Sequence, residues 1–364
     1  MSALRRAPLL FASGLALVAS TAAFASTELG VWGVQAKTSK HDCSRLFGSF
    51  SVGRWPPACW RPYGRNSPFN TPIPARPRIS PESGAIVAYI VSHNWVFSPD
   101  RHGRFKVDDS GSRPVYWSGK GDPVVSVTCE GGHSCERGMR LHIPQGAQPQ
   151  DEGDGHMTVI DQAQGREYDF WRASAPEHGR MTVAAGNGIR IGPGTGTGLG
   201  GVADAANLGL AGGLVRGAEL RAGVVNHALA ITAECVQRQN VWPAPPDGHG
   251  DAVCPHEGAG PRFASLLQLD MSEGEIAATH APRWQRAVMR AMARYGMYVV
   301  DTNSPGDTTL SVIMEDDLSF TAFGRPGALS GFVRSAGGSD SVAGVPIDVS
   351  KLRVIAPCVP RRTC

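Results

Sequence analysis

Hydrophobic and polar positions alternate in short runs along most of this chain. "RPVYWSG", "DPVVSVTCE", "MRLHIP", "RFASLLQLD" and "MYVVD" set β-branched and aromatic residues between Gly, Pro and Asp, the pattern of short strands. "VVNHALAITAEC" (224–235) predicts a further strand. "MTVID" and "REYDFWRA" are separated by "QAQG", a four-residue loop ending in glycine, which suits a hairpin on a type I turn. Helical periodicity is strong only once. "APRWQRAVMRAMARYG" repeats Trp284, Val288, Ala291 and Tyr295 as a core stripe and sets Arg286, Arg290 and Arg294 on another face. Pro282 starts that helix and Gly296 ends it. A short apolar helix or strand is predicted near Ala85–Val91, and the glycine-rich stretch 186–201 reads as a flexible surface loop.

The pattern predicts a mainly β protein, a two-sheet β-sandwich of jelly-roll type with one or a few short helices. The 45 glycines and 27 prolines agree with many tight turns, and the strong helix keeps an α+β fold as the alternative. Gly196-x-Gly198-x-x-Gly201 has dinucleotide-fingerprint spacing, but no clear strand feeds it and no G-K-[ST] ending follows.

The N-terminus sets the expected compartment. Arg5 and Arg6, a short apolar run and "AFA" at 23–25 are the three parts of a signal peptide, placing the protein outside the cell or in the periplasm. The expected organisation is a signal peptide at 1–25, an irregular disulfide-tied arm at 26–66, one β-rich domain at 67–357 and a disulfide-closed tail at 358–364. Eight cysteines fall into four local couples, 43–59, 129–135, 235–254 and 358–364. "CEGGHSC" places His133 inside one of them, as a closed turn and not as a metal site. A formal charge of +3 gives no phosphate-tracking surface, which argues against nucleic acid as a partner. No stretch after the leader is long and apolar enough for a membrane helix, and a monomer is expected.

The candidate chemistry lies in the hairpin. Side chains two apart on a strand share a face, so Glu167, Asp169 and Trp171 point one way. Two carboxylates about 5–9.5 Å apart are what glycosidases use, and a tryptophan beside them is a platform for a sugar ring. The run resembles the E-x-D-x-x-E strand of laminarinase-type glycosidases but departs from it at Arg172, where the second glutamate would stand. Asp154 and His156, brought near Phe170–Arg172 by the hairpin, are alternates for acid/base work. His227 reads either as a core histidine or as the base of a lyase, with Asn226 facing a space left by Ala228 and Ala230. Arg172 is a candidate for binding a substrate carboxylate. No cofactor or catalytic metal is implied. The acids of 301–307 and 314–317 could contribute to a structural calcium site or be solvated loop acids.

"SPFNTPIP", "DGHMTVID", "YDFW", "NHALAI" and "YGMYVVD" together resemble a group of exported soil-bacterial proteins of polysaccharide-active β-sandwich character. The resemblance spans Ser67–Pro357 and implies one continuous domain, without assigning catalytic residues. The expected function is that of an exported polysaccharide-cleaving enzyme, a glycoside hydrolase with Asp169 and Glu167 as acid/base or nucleophile candidates. The alternatives are a polysaccharide lyase with His/Tyr base chemistry, or a non-catalytic carbohydrate-binding envelope protein.

Overall fold

The hairpin forms as its alternation requires. Met157–Asp161 (β5) pairs antiparallel with Arg166–Trp171 (β6), with Met157 opposite Phe170 and Asp161 opposite Arg166. The Asp161 carboxylate closes the loop by accepting from the backbone N–H groups of Ala163 and Gln164. Gly165 then takes a φ of 66°, which a Cβ would oppose. The computed structural model describes residues 56–92, 102–106, 112–151, 154–192, 196–246, 254, 259–303, 310–316, 318–319 and 342–364.

Two more strands complete this sheet. Val115–Ser118 (β2) runs parallel to β5, and Ala185–Arg190 (β8) lies antiparallel to β6. The first part of the glycine-rich stretch is therefore an edge strand, not a loop. Its glycines are required by the neighbouring rings. A Cβ on Gly186 would stand 2.6 Å from a carbon of Phe170, and one on Gly188 2.6 Å from a carbon of Tyr168.

A three-stranded sheet is built from Val124–Cys129 (β3), Arg140–His142 (β4) and Arg180–Val183 (β7) in the order β4-β3-β7. The largest sheet has seven strands. In spatial order these are Val342–Pro346 (β13), His102–Lys106 (β1), Ser311–Ile313 (β12), Leu229–Ala233 (β9), Met297–Thr302 (β11), Leu266–Leu269 (β10) and Leu352–Ile355 (β14).

Helices are few. Ser83–Ser92 (α1) packs on β14, and Arg283–Arg294 (α4) packs on β10 with Trp284, Val288 and Ala291 buried. Gly217–Ala222 (α2) and Glu273–Ala278 (α3) contact α4, and Cys358–Arg361 (α5) closes the chain. The protein is mainly β, with three sheets among the described residues, consistent with a β-sandwich. These ladders do not establish a jelly-roll order, since each sheet contains parallel pairs.

One continuous hydrophobic cluster joins the sheets and includes Trp60, Tyr63 and Phe69. The end of the expected N-terminal arm is therefore buried in the core. The expected signal peptide, most of the expected arm and Cys43 lie outside the described residues. Cys59 is disulfide-bonded, and the couples 129–135, 235–254 and 358–364 form as expected. No helix among the described residues is long and apolar enough to cross a membrane.

Candidate active site

Glu167 and Asp169 do share one face of β6, but that face is closed. Both are 0% exposed. The Tyr63 hydroxyl donates to Glu167 Oε2 at 2.7 Å, and the Ala211 N–H donates to Oε1 at 2.8 Å. Thr158 Oγ1 donates to Asp169 Oδ1 at 3.0 Å, and the Leu210 N–H donates to Oδ2 at 3.1 Å. Each carboxyl oxygen thus has a donor, and the loop at 208–211 lies across the strand. Gly209 lets it approach, since a Cβ there would meet the Tyr63 hydroxyl at 2.1 Å.

Burial raises both acids above the usual carboxyl range, Asp169 well above it with the nearby charge of Glu167 as the next cause. Burial likewise holds the Tyr63 phenol well above its ordinary value, so it stays a donor. This is a clamp joining β6 to the arm and the loop. It corrects the expectation that the pair lines an open sugar cleft. The cause is the covering loop, which strand alternation does not reveal.

Trp171, at the end of β6, does reach a cleft of about 520 Å³. Asp154, Asp204, Asp301, Asn207, Phe263 and His133 are among the residues that line it. The disulfide between Cys129 and Cys135 closes the short loop that carries His133, whose ring stands perpendicular to Trp171 with centroids 4.8 Å apart. Arg172, with φ at 50°, turns back so that its guanidinium lies 4.4 Å from the centroid of Trp171. Arg172 is thus a cation–π partner of the platform.

The acids of this cleft differ from one another. Asp204 is buried, accepts the Leu208 N–H at 2.9 Å, and has Arg113 Nη1 at 3.8 Å. Burial pushes it up to about 8, against the opposing pull of Arg113; the charges of Asp301 and Asp169 add to the rise. Asp301 is the penultimate residue of β11, has Arg113 Nη2 at 3.6 Å and accepts the Thr302 N–H. Burial pushes it up to about 6, again opposed by Arg113. One buried guanidinium therefore faces two carboxyls, of which Asp204 holds its proton to higher pH than Asp301. Environments that separate paired acids in this way are what acid/base catalysis uses.

The remaining sequence candidates are divided. Asp154 lines the cleft with a side chain 46% exposed, and its carboxylate is 3.9 Å from His156 Nε2. His156 is buried. Burial, then the charge of Arg113, depress it well below the ordinary histidine value, and its Nδ1 has no partner among the described residues. His227 and Asn226 precede β9 instead of lying within it, because Gly223 ends α2 and ladder pairing begins only at Leu229. His227 is a core residue, with Nδ1 at 2.8 Å from the Ala228 carbonyl and Nε2 at 3.1 Å from Glu219. Asn226 opens onto a different cleft from Trp171.

No known family, curated protein or solved structure matches this chain. The site is therefore argued from its own geometry. Sequence reading missed Asp204, Asp301, Arg113 and Tyr63 as partners. Asp301 was visible as the end of "MYVVD", and His133 as the residue between two cysteines; nothing local marks Asp204 or Arg113. Among the described residues no group of three or more His, Cys, Asp and Glu is arranged to hold a metal; residues 304–307 and 317 of the acidic segments lie outside them.

Proposed function

We propose that this protein is an exported polysaccharide-cleaving enzyme, a glycoside hydrolase working in the cleft beside Trp171. Asp204 in its protonated form is the proton donor, and Asp301 in its ionised form is the base or nucleophile. Trp171 is the platform for a sugar ring, with His133 and Arg172 fixing its orientation. The observation that carries this reading is the pair of carboxyls, Asp204 and Asp301, that flank Arg113 on the wall of one cleft, with burial raising Asp204 further than Asp301. The leader and the local disulfides favour export.

A panel of plant, fungal and bacterial polysaccharides tests this reading through release of new reducing ends. For the polymer that is cleaved, kcat/KM should follow a bell. It falls below about 6, where Asp301 takes a proton, and above about 8, where Asp204 loses one. A rate that is flat across both limits overturns the assignment. Lyase chemistry is the second reading, favoured by the neutral His156 with its unpartnered Nδ1 next to Asp154. It would show as ultraviolet absorbance of an unsaturated uronate in the products. Saturable binding without either product supports a non-catalytic carbohydrate-binding protein.

A further inference from the structure

A second cleft, of about 450 Å³, shares no lining residue with the first. It lies where the segment after α2 meets α3 and α4. Its walls are apolar, with Val225, Ile276 and Ala287 buried and Val224 left 40% exposed. The polar groups on those walls have open hydrogen-bonding capacity. Tyr295 is only 4% exposed, yet its hydroxyl makes no hydrogen bond among the described residues. The Asn226 side-chain amide makes none either. Arg294 forms no ion pair among the described residues, and its guanidinium sits 5.4 Å from the Tyr295 ring centroid. Arg290, by contrast, is committed to Glu273.

These donors open onto the cleft, where a ligand can replace the water that meets them. The three open groups can all donate to carboxylate oxygens, and a guanidinium matches that group's planar geometry. The volume is within the range of small-molecule sites, and the wall composition is that of a pocket for a mostly apolar ligand.

We propose that this cleft binds a small amphipathic carboxylate, a monoanionic head on an apolar body. The head pairs with Arg294 and accepts from Tyr295 and Asn226. The apolar body lies on Val225, Ile276 and Ala287. A ligand of opposite charge would meet the unpaired guanidinium, and a small acid lacking the apolar body would leave those walls wet. The site is separate from the proposed catalytic cleft.

Octanoate, octanamide and acetate serve as probes in calorimetric titrations of the whole chain. Octanoate should bind saturably at one site, and octanamide and acetate each at least about tenfold more weakly, the loss expected for a charge-assisted hydrogen bond or for the apolar contact. Arg294→Gln, on an exposed side chain, should weaken octanoate about tenfold with unchanged thermal unfolding, and Tyr295→Phe should weaken it less. Any of three results overturns the proposal: no saturable octanoate binding, equal affinity for octanamide, or undiminished binding by folded Arg294→Gln protein.

Discussion

Replacing Glu167 with alanine should lower the folding stability by about 3–5 kcal/mol, among the largest effects available to a single substitution here. The side chain is wholly enclosed and receives the Tyr63 hydroxyl and the Ala211 N–H. Its removal leaves both donors buried without an acceptor and deprives Asp169 of its carboxyl neighbour. It also opens a void beneath the loop at 208–211. Glu167→Gln should cost much less, because the amide oxygen still accepts one donor and the amide N–H can face Asp169. Urea titrations of the three proteins give the comparison. A loss under about 0.5 kcal/mol for the alanine variant, as at an ordinary surface position, would contradict the clamp.

A second large effect is the response of stability to pH. Burial raises Asp301 to about 6, Glu315 to about 7 and Asp204 to about 8, and raises the Glu167–Asp169 pair in the same direction. Each group binds its proton more tightly folded than unfolded, so stability is fully present below the unfolded carboxyl range and is lost as pH rises through the folded value. His156 acts oppositely: its folded pKa is depressed, so stability falls as pH drops below the unfolded histidine value. Glu219, lowered because Arg216 and His227 outweigh its burial, acts only below the usual glutamate range. Between pH 5 and pH 8 several carboxyls oppose one histidine. The protein should be more stable at pH 5 by on the order of 3–6 kcal/mol, measured by denaturant unfolding at constant ionic strength. Equal stability, or greater stability at pH 8, would show that folding does not raise the proton affinity of these acids.

What was legible in the sequence depended on how local the cause was. The β5–β6 hairpin, the core stripe of α4 and three disulfides follow from spacing over a few residues, and each forms as expected. The edge strand β8 was misread as a loop because its glycines serve the rings of Phe170 and Tyr168, which lie on the neighbouring strand. The burial of Glu167 and Asp169 depends on Tyr63 and on residues 210–211, which are over 40 residues away in the chain. Alternation correctly put the two acids on one face, but it carries no information about what covers that face. Asp204 and Asp301 come together only through Arg113 on a third segment. Charge pairs of that kind have no sequence period to find.

The most direct measurement is turnover by two well-folded variants, Asp204→Asn and Asp169→Asn, on the polymer that the wild-type protein cleaves. Both substitutions keep side-chain size and remove an ionisable proton. If the cleft acids carry the reaction, Asp204→Asn loses roughly 10²–10⁴ in rate, the span of a general acid, while Asp169→Asn keeps most of its activity despite reduced stability. Wild-type turnover by Asp204→Asn together with loss in Asp169→Asn would contradict the account and return the chemistry to the buried pair.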